Sequence, residues 1–77
     1  MHYVYLLKEK SKNKTYIGYT KELEQRLRQH KSAQEIELIY YEAYKTEKEA
    51  RDRERRLKMY GSAWRALKQR LRISLSQ

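Results

Sequence analysis

Two short runs of aromatic and branched residues, His2 to Leu7 and Thr15 to Tyr19, flank the polar stretch Lys10-Ser11-Lys12-Asn13-Lys14. Runs of that composition on either side of a turn-like gap favour a pair of antiparallel strands. The hairpin narrows the fold more than any other feature, because everything that follows has to cover its sheet. Proline is absent and the only glycines are Gly18 and Gly61, so each glycine is expected to mark a specific backbone requirement. Gly18 also leaves a side chain missing beside Tyr16, where another backbone or a ligand could approach closely.

The remaining elements follow in order. Thr20 can cap a helix with Glu22 and Glu24 in its first turn, running to about Lys31. Ile36 to Tyr44, rich in Ile, Leu and Tyr, reads as a third strand. Thr46-Glu47-Lys48-Glu49 matches a capping box and opens a helix that Gly61 can terminate. Ser62 can cap a last, basic helix over 62–75 whose stripe is Trp64, Leu67, Leu71 and Leu75. The order β-β-α-β-α-α predicts an α+β fold with a three-stranded, mostly antiparallel sheet flanked by helices. Residues 1–77 are expected to form one domain with its core in 2–60.

Composition removes several function classes. With no cysteine there are no disulfides and no thiolate zinc site, and His2 and His30 cannot build a histidine-only metal centre. No long apolar run exists, so neither a membrane span nor a signal peptide is expected, which points to the cytoplasm. The formal charge of +9 is unevenly placed: residues 51–77 carry nine Lys/Arg against Asp52 and Glu54. Clustered positive charge of this kind suits a polyanion, and nucleic acid is the common intracellular one.

Helical geometry singles out two charged residues. At 100° per residue, Arg26 and His30 fall within about 60° of Leu23 on the inward face of the first helix. An inward guanidinium suits a phosphate bound at the rim of the core; the same geometry also suits an arginine that snorkels to solvent. Glu54 sits beside the Ala50 and Leu57 stripe of a helix otherwise crowded with Arg51, Arg53, Arg55 and Arg56. One inward carboxylate could hold a divalent cation against phosphate, since magnesium keeps several waters. Taken alone, the spacing favours a local i,i+4 pair with Lys58. Eight of the nine aromatics are Tyr; Tyr40, Tyr41 and Tyr44 read as half-buried residues with hydroxyls at water. Tyr5 and Tyr16 differ in lying on the paired strands near Gly18, where neighbouring cations could ease loss of a phenolic proton.

Tyr3-Val4-Tyr5, Tyr16-Ile17-Gly18, Arg26, His30 and Glu54, in this order and spacing, resemble the GIY-YIG nuclease domain as found in small stand-alone bacterial members and in the excision-repair incision subunit. The resemblance implies phosphodiester hydrolysis with one divalent metal, Mg²⁺ or Mn²⁺. By position it makes Tyr5 and Tyr16 the motif tyrosines, Arg26 the phosphate-holding arginine, His30 the accompanying histidine and Glu54 the metal ligand. The chain departs from the pattern in lacking the leading glycine of the first motif and any Asn after Asn13. It also has only a short stretch between His30 and the third strand.

The expectation is therefore a metal-dependent endonuclease that acts on DNA by structure rather than by sequence, with a role in DNA repair. Arg26, Arg51, Arg53, Arg55, Arg56 and Lys58 are expected to contact nucleic acid. A monomer is favoured over a homodimer, no membrane partner is expected, and a partner protein could supply targeting. A catalytically weak or inactive nucleic-acid-binding module of the same fold is the first alternative. A protein-interaction module using the C-terminal stripe is the second.

Overall fold

The computed structural model describes residues 1–31 and 35–77, without the side chains of His30 and Lys31. Three strands, β1 (His2–Glu9), β2 (Lys14–Thr20) and β3 (Ile36–Tyr44), form one sheet in the order β2-β1-β3. Both pairings are antiparallel, so the α+β sheet expected from the sequence is present throughout as an antiparallel one. The hairpin register sets Tyr5 opposite Gly18 and Leu7 opposite Tyr16. The left-handed residue in its turn is Asn13, at φ 52°, a conformation that asparagine tolerates better than most residues. Between β1 and β3 the register slips at Leu6/Leu7: Leu6 faces Tyr40 and Leu7 faces Leu38. Ile39 is thus the extra residue of a bulge on β3.

Side chains alternate across the sheet. Val4, with Ile17, Tyr19, Tyr40 and Tyr44, packs against α2 (Glu47–Met59) and α3 (Gly61–Arg70). Ala50, Leu57 and Leu67 complete that buried cluster. The opposite face carries Tyr3, Tyr5 and Tyr41 and is approached by α1 (Leu23–Lys31), whose Leu23 shares a hollow with Tyr3 and Tyr41. β1 lies in the middle of the sheet, and Val4 through Glu9 are all buried.

Local sequence signals fare unevenly. Thr46 caps α2 as read, its Oγ1 accepting from the Glu49 N–H at 3.2 Å, and the Glu49 carboxylate returns to the Thr46 hydroxyl, which donates to it at 2.6 Å. Thr20 Oγ1 accepts from the Glu22 N–H at 3.0 Å, but Glu22 supplies the carbonyl that receives the first helical bond, from Arg26. Gly61 does not end α2. Tyr60, in an extended conformation, both ends α2 and precedes α3, and no side chain caps α3. Ser62 is therefore inside α3 and not its cap. The single last helix over 62–75 is two, broken at Leu71, with α4 at Arg72–Ser76.

The stripe proposed for partner docking points inward. Leu67 is buried, Trp64 and Leu71 pack against the core, and Leu75 is half-buried. Lys8 reaches from β1 to the end of α4, donating to the Leu75 carbonyl at 2.5 Å and the Gln77 carbonyl at 3.2 Å. Those carbonyls are among the ones a helix end leaves unmet. Tyr40 and Tyr44 do not place their hydroxyls at water. Both donate to Glu42, at 2.6 and 2.5 Å, and Arg53 of α2 closes on the same carboxylate at 3.0 Å. Tyr41 is exposed and meets Tyr3 edge-on. Among the described residues no helix is long and apolar enough to cross a membrane.

Candidate active site

The site begins with a missing side chain. A Cβ built on Gly18 would fall 2.5 Å from Cζ of Tyr5 and nearer still to its hydroxyl. Gly18 has no positive φ, so the glycine is required by the tyrosine ring crossing over it and not by its own backbone. That crossing carries the Tyr5 hydroxyl from the central strand toward the β2 edge. There Arg26 of α1 hydrogen-bonds it, and Glu54 and Lys58 of α2 act on it electrostatically. Three elements thus deliver Tyr5, Arg26 and Glu54 to one place.

A polar hollow of about 440 Å³ opens against this cluster. It takes Gln25, Arg26 and Gln29 from α1 and Glu22 from just before it, at the spacing that shares one helix face. Tyr19 and Thr20 at the end of β2, and Arg51 and Glu54 of α2, close the other side. Tyr19 is fixed from two directions. Its hydroxyl lies 2.8 Å from Nδ1 of His2, and the Arg51 guanidinium sits 4.3 Å over its ring. Arg51 is held in turn by Glu47 at 2.7 Å.

Glu54 makes the local pair and also faces the hollow. Its Oε2 accepts from Lys58 at 3.1 Å, the local pair, while the side chain, 19% exposed, lines the hollow with Arg26. Burial pushes the Tyr5 hydroxyl above its ordinary value of 10.0. Glu54 pushes the same way, and the cations Arg26 and Lys58 do not reverse the shift. Around Tyr5 burial weighs more than the nearby cations, because removing water from around a phenolate costs more than those charges return. Near neutral pH this hydroxyl is a hydrogen-bonding group.

A carboxylate offers about four lone-pair sites, so the bond from Lys58 leaves Glu54 capacity for a cation. Among the described residues no three His, Cys, Asp or Glu side chains converge as a metal cage. The donor set fits a hard cation that takes one carboxylate oxygen and completes its shell from water and a bound phosphate. It does not fit an ion held by protein alone.

Other predicted residues are dispersed. Tyr16 stands outside the hollow, on a neighbouring groove that it shares with Lys58. Arg53 points to Glu42, and Arg55 and Arg56 are both bound to Asp52, at 2.7 and 3.0 Å, so none of the three lines the hollow. The His30 side chain lies outside the described residues. Sequence reasoning missed Tyr19, Lys21, Gln25 and Gln29, all of which line the hollow. The two glutamines had a signal, since with Glu22 and Arg26 they make a polar stripe at helical spacing. Tyr19 had none, because an aromatic on a core-facing strand position looks like packing.

The GIY-YIG catalytic domain family matches residues 1–65. A UPF0213 protein of Haloquadratum walsbyi is 33% identical over 68 aligned residues, which cover 77% of this chain and 75% of that protein. No solved structure matches the chain significantly. The hairpin, Arg26 and Glu54 all fall within the matched span, and the chain belongs to the GIY-YIG nuclease family.

Proposed function

We propose that this protein is a metal-dependent endonuclease that hydrolyses phosphodiester bonds in DNA without sequence specificity and with a preference set by nucleic-acid structure. The observation that carries this reading is that Arg26 of α1 and Glu54 of α2 line one polar hollow, with Arg26 also hydrogen-bonded to the Tyr5 hydroxyl of β1. Residues 1–77 act as one catalytic domain, with α4 held to β1 through Lys8.

Arg26 holds the scissile phosphate and offsets charge as it builds on the non-bridging oxygens. Glu54 would hold Mg²⁺ or Mn²⁺, which when bound acidifies water and neutralises phosphate charge. The protonated Tyr5 hydroxyl, anchored by Arg26, orients the attacking water or the phosphate. His30 assists by taking up the water's proton. Arg51 and Lys58 flank the phosphate as further cations.

Nicking of supercoiled plasmid and of a branched oligonucleotide, in Mg²⁺ and in Mn²⁺, tests the reading. Glu54→Ala and Arg26→Ala are each expected to lose about a hundredfold or more, the scale of removing one group that meets transition-state charge. Wild type that binds DNA but never nicks would instead support the inactive module. The absence of any Asn after Asn13 is the observation that favours that second reading.

A further inference from the structure

Beyond the hollow, β2 and the α2–α3 pair leave a second groove of about 440 Å³, lined by Thr15, Tyr16, Ile17, Leu57, Lys58 and Trp64. Its composition is unlike the first. Two large aromatic rings stand in it with one ammonium, beside Thr15 and the aliphatic Ile17 and Leu57. Tyr16 is 41% exposed although it sits on a strand. Trp64 packs against the core cluster and also lines the groove. Lys68 stands 5.8 Å from the centre of the Trp64 ring. Lys58 is common to both places: it lines this groove, and its Nζ lies 3.1 Å from Glu54.

We infer that this groove takes the base of an unpaired nucleotide next to the scissile phosphate. Aromatic faces stack any base without regard to sequence, and the flanking lysines suit the phosphates on either side of it. A base inside a duplex is stacked on its neighbours and cannot enter; one at a flap, gap or branch can. The inference rests on the nuclease reading for where the scissile phosphate lies. It adds to that reading the class of substrate: strands with an unstacked nucleotide at the cut.

Trp64 is the sole tryptophan, so its emission reports on the groove directly. The probes are a short oligothymidylate and an abasic strand of equal length and charge, each labelled for anisotropy. Both are expected to bind through phosphates. The oligothymidylate is expected to bind at least about fivefold tighter, the low end for one base stacked on an aromatic side chain, and it alone should quench Trp64. Trp64→Leu, checked for folding by thermal melting, should erase the affinity difference between the two strands. Should Trp64→Leu not fold, Tyr16→Leu at the more exposed wall reads the same affinity difference. Equal affinity and equal emission with the two strands would overturn the groove. Base discrimination in a wild type that never nicks would uphold the groove while removing the nuclease reading. Nicking without base discrimination would do the reverse.

Discussion

Gly18 and Tyr5 form one unit at the residue scale, since the ring occupies the space a Cβ would need. Gly18→Ala is expected to destabilise the fold by about 1–3 kcal/mol, the range for overpacking a close contact, and to push Tyr5 off Arg26. Tyr5→Phe keeps the ring and removes only the hydroxyl. It should melt near wild type yet nick on the order of a hundredfold more slowly. Thermal melting and plasmid nicking on the two variants separate packing from chemistry: a Tyr5→Phe that nicks at the wild-type rate would remove the hydroxyl from the mechanism. Helical spacing alone brought Arg26 and Glu54 to attention, because a charged residue on an apolar stripe is an anomaly that sequence displays. The electrostatic environment of Tyr5 was not legible. It depends on how far burial outweighs Arg26 and Lys58, which is a property of the packed state.

Among elements, the contact between β3 and α2 is a polar clasp built on Glu42. Burial works against the Glu42 charge, but Arg53, Tyr40 and Tyr44 outweigh it and hold the carboxyl below its ordinary value of 4.5. Burial and the bond to Glu42 push the Tyr44 hydroxyl up to about 12. The two shifts act at opposite ends of the pH scale. A lowered carboxyl contributes stability above its unfolded value and loses it as pH falls below 4.5 and through the folded value. A raised phenol contributes stability that is intact below 10 and lost between about 10 and 12. Glu42→Gln should lower stability by about 1–3 kcal/mol at neutral pH, leaving Arg53 half-buried without its partner charge. Its deficit should shrink toward acid, and melting curves across pH would show it; a deficit independent of pH would place the effect in packing. The hairpin, the third strand and the capping box were legible because each is a local signal. The clasp was not, since it joins Glu42 to a residue on another element. Nor was the break at Leu71: its stripe continues at helical spacing, and the tether from Lys8 to the end of α4 is a long-range contact.

For the whole molecule, the count of cations says less than how they are matched. On α2, Arg51 pairs with Glu47, Arg53 with Glu42, Arg55 and Arg56 with Asp52, and Lys58 with Glu54. Of these five cations of the helix that looked most basic in sequence, four are matched by acids of α2 itself and Arg53 by Glu42 of β3. Residues 61–77 carry Arg65, Lys68, Arg70 and Arg72 and no acid at all. Binding that draws on phosphate contacts falls with salt, by about 0.7–0.9 in the log–log slope for each phosphate neutralised. A matched cation already has a counter-ion, so its contact with phosphate frees less salt than an unmatched one does. Arg65→Gln and Arg72→Gln are each expected to flatten the slope by nearly one such step. Arg55→Gln should flatten it by clearly less, since Arg56 then keeps Asp52 to itself. Affinity for duplex DNA measured across salt concentrations decides between the two surfaces. Equal losses from all three variants would return the phosphate contacts to α2 and make its ion pairs exchangeable, as weak exposed pairs can be. A slope that stays flat in the wild type would remove phosphate neutralisation as the basis of binding altogether.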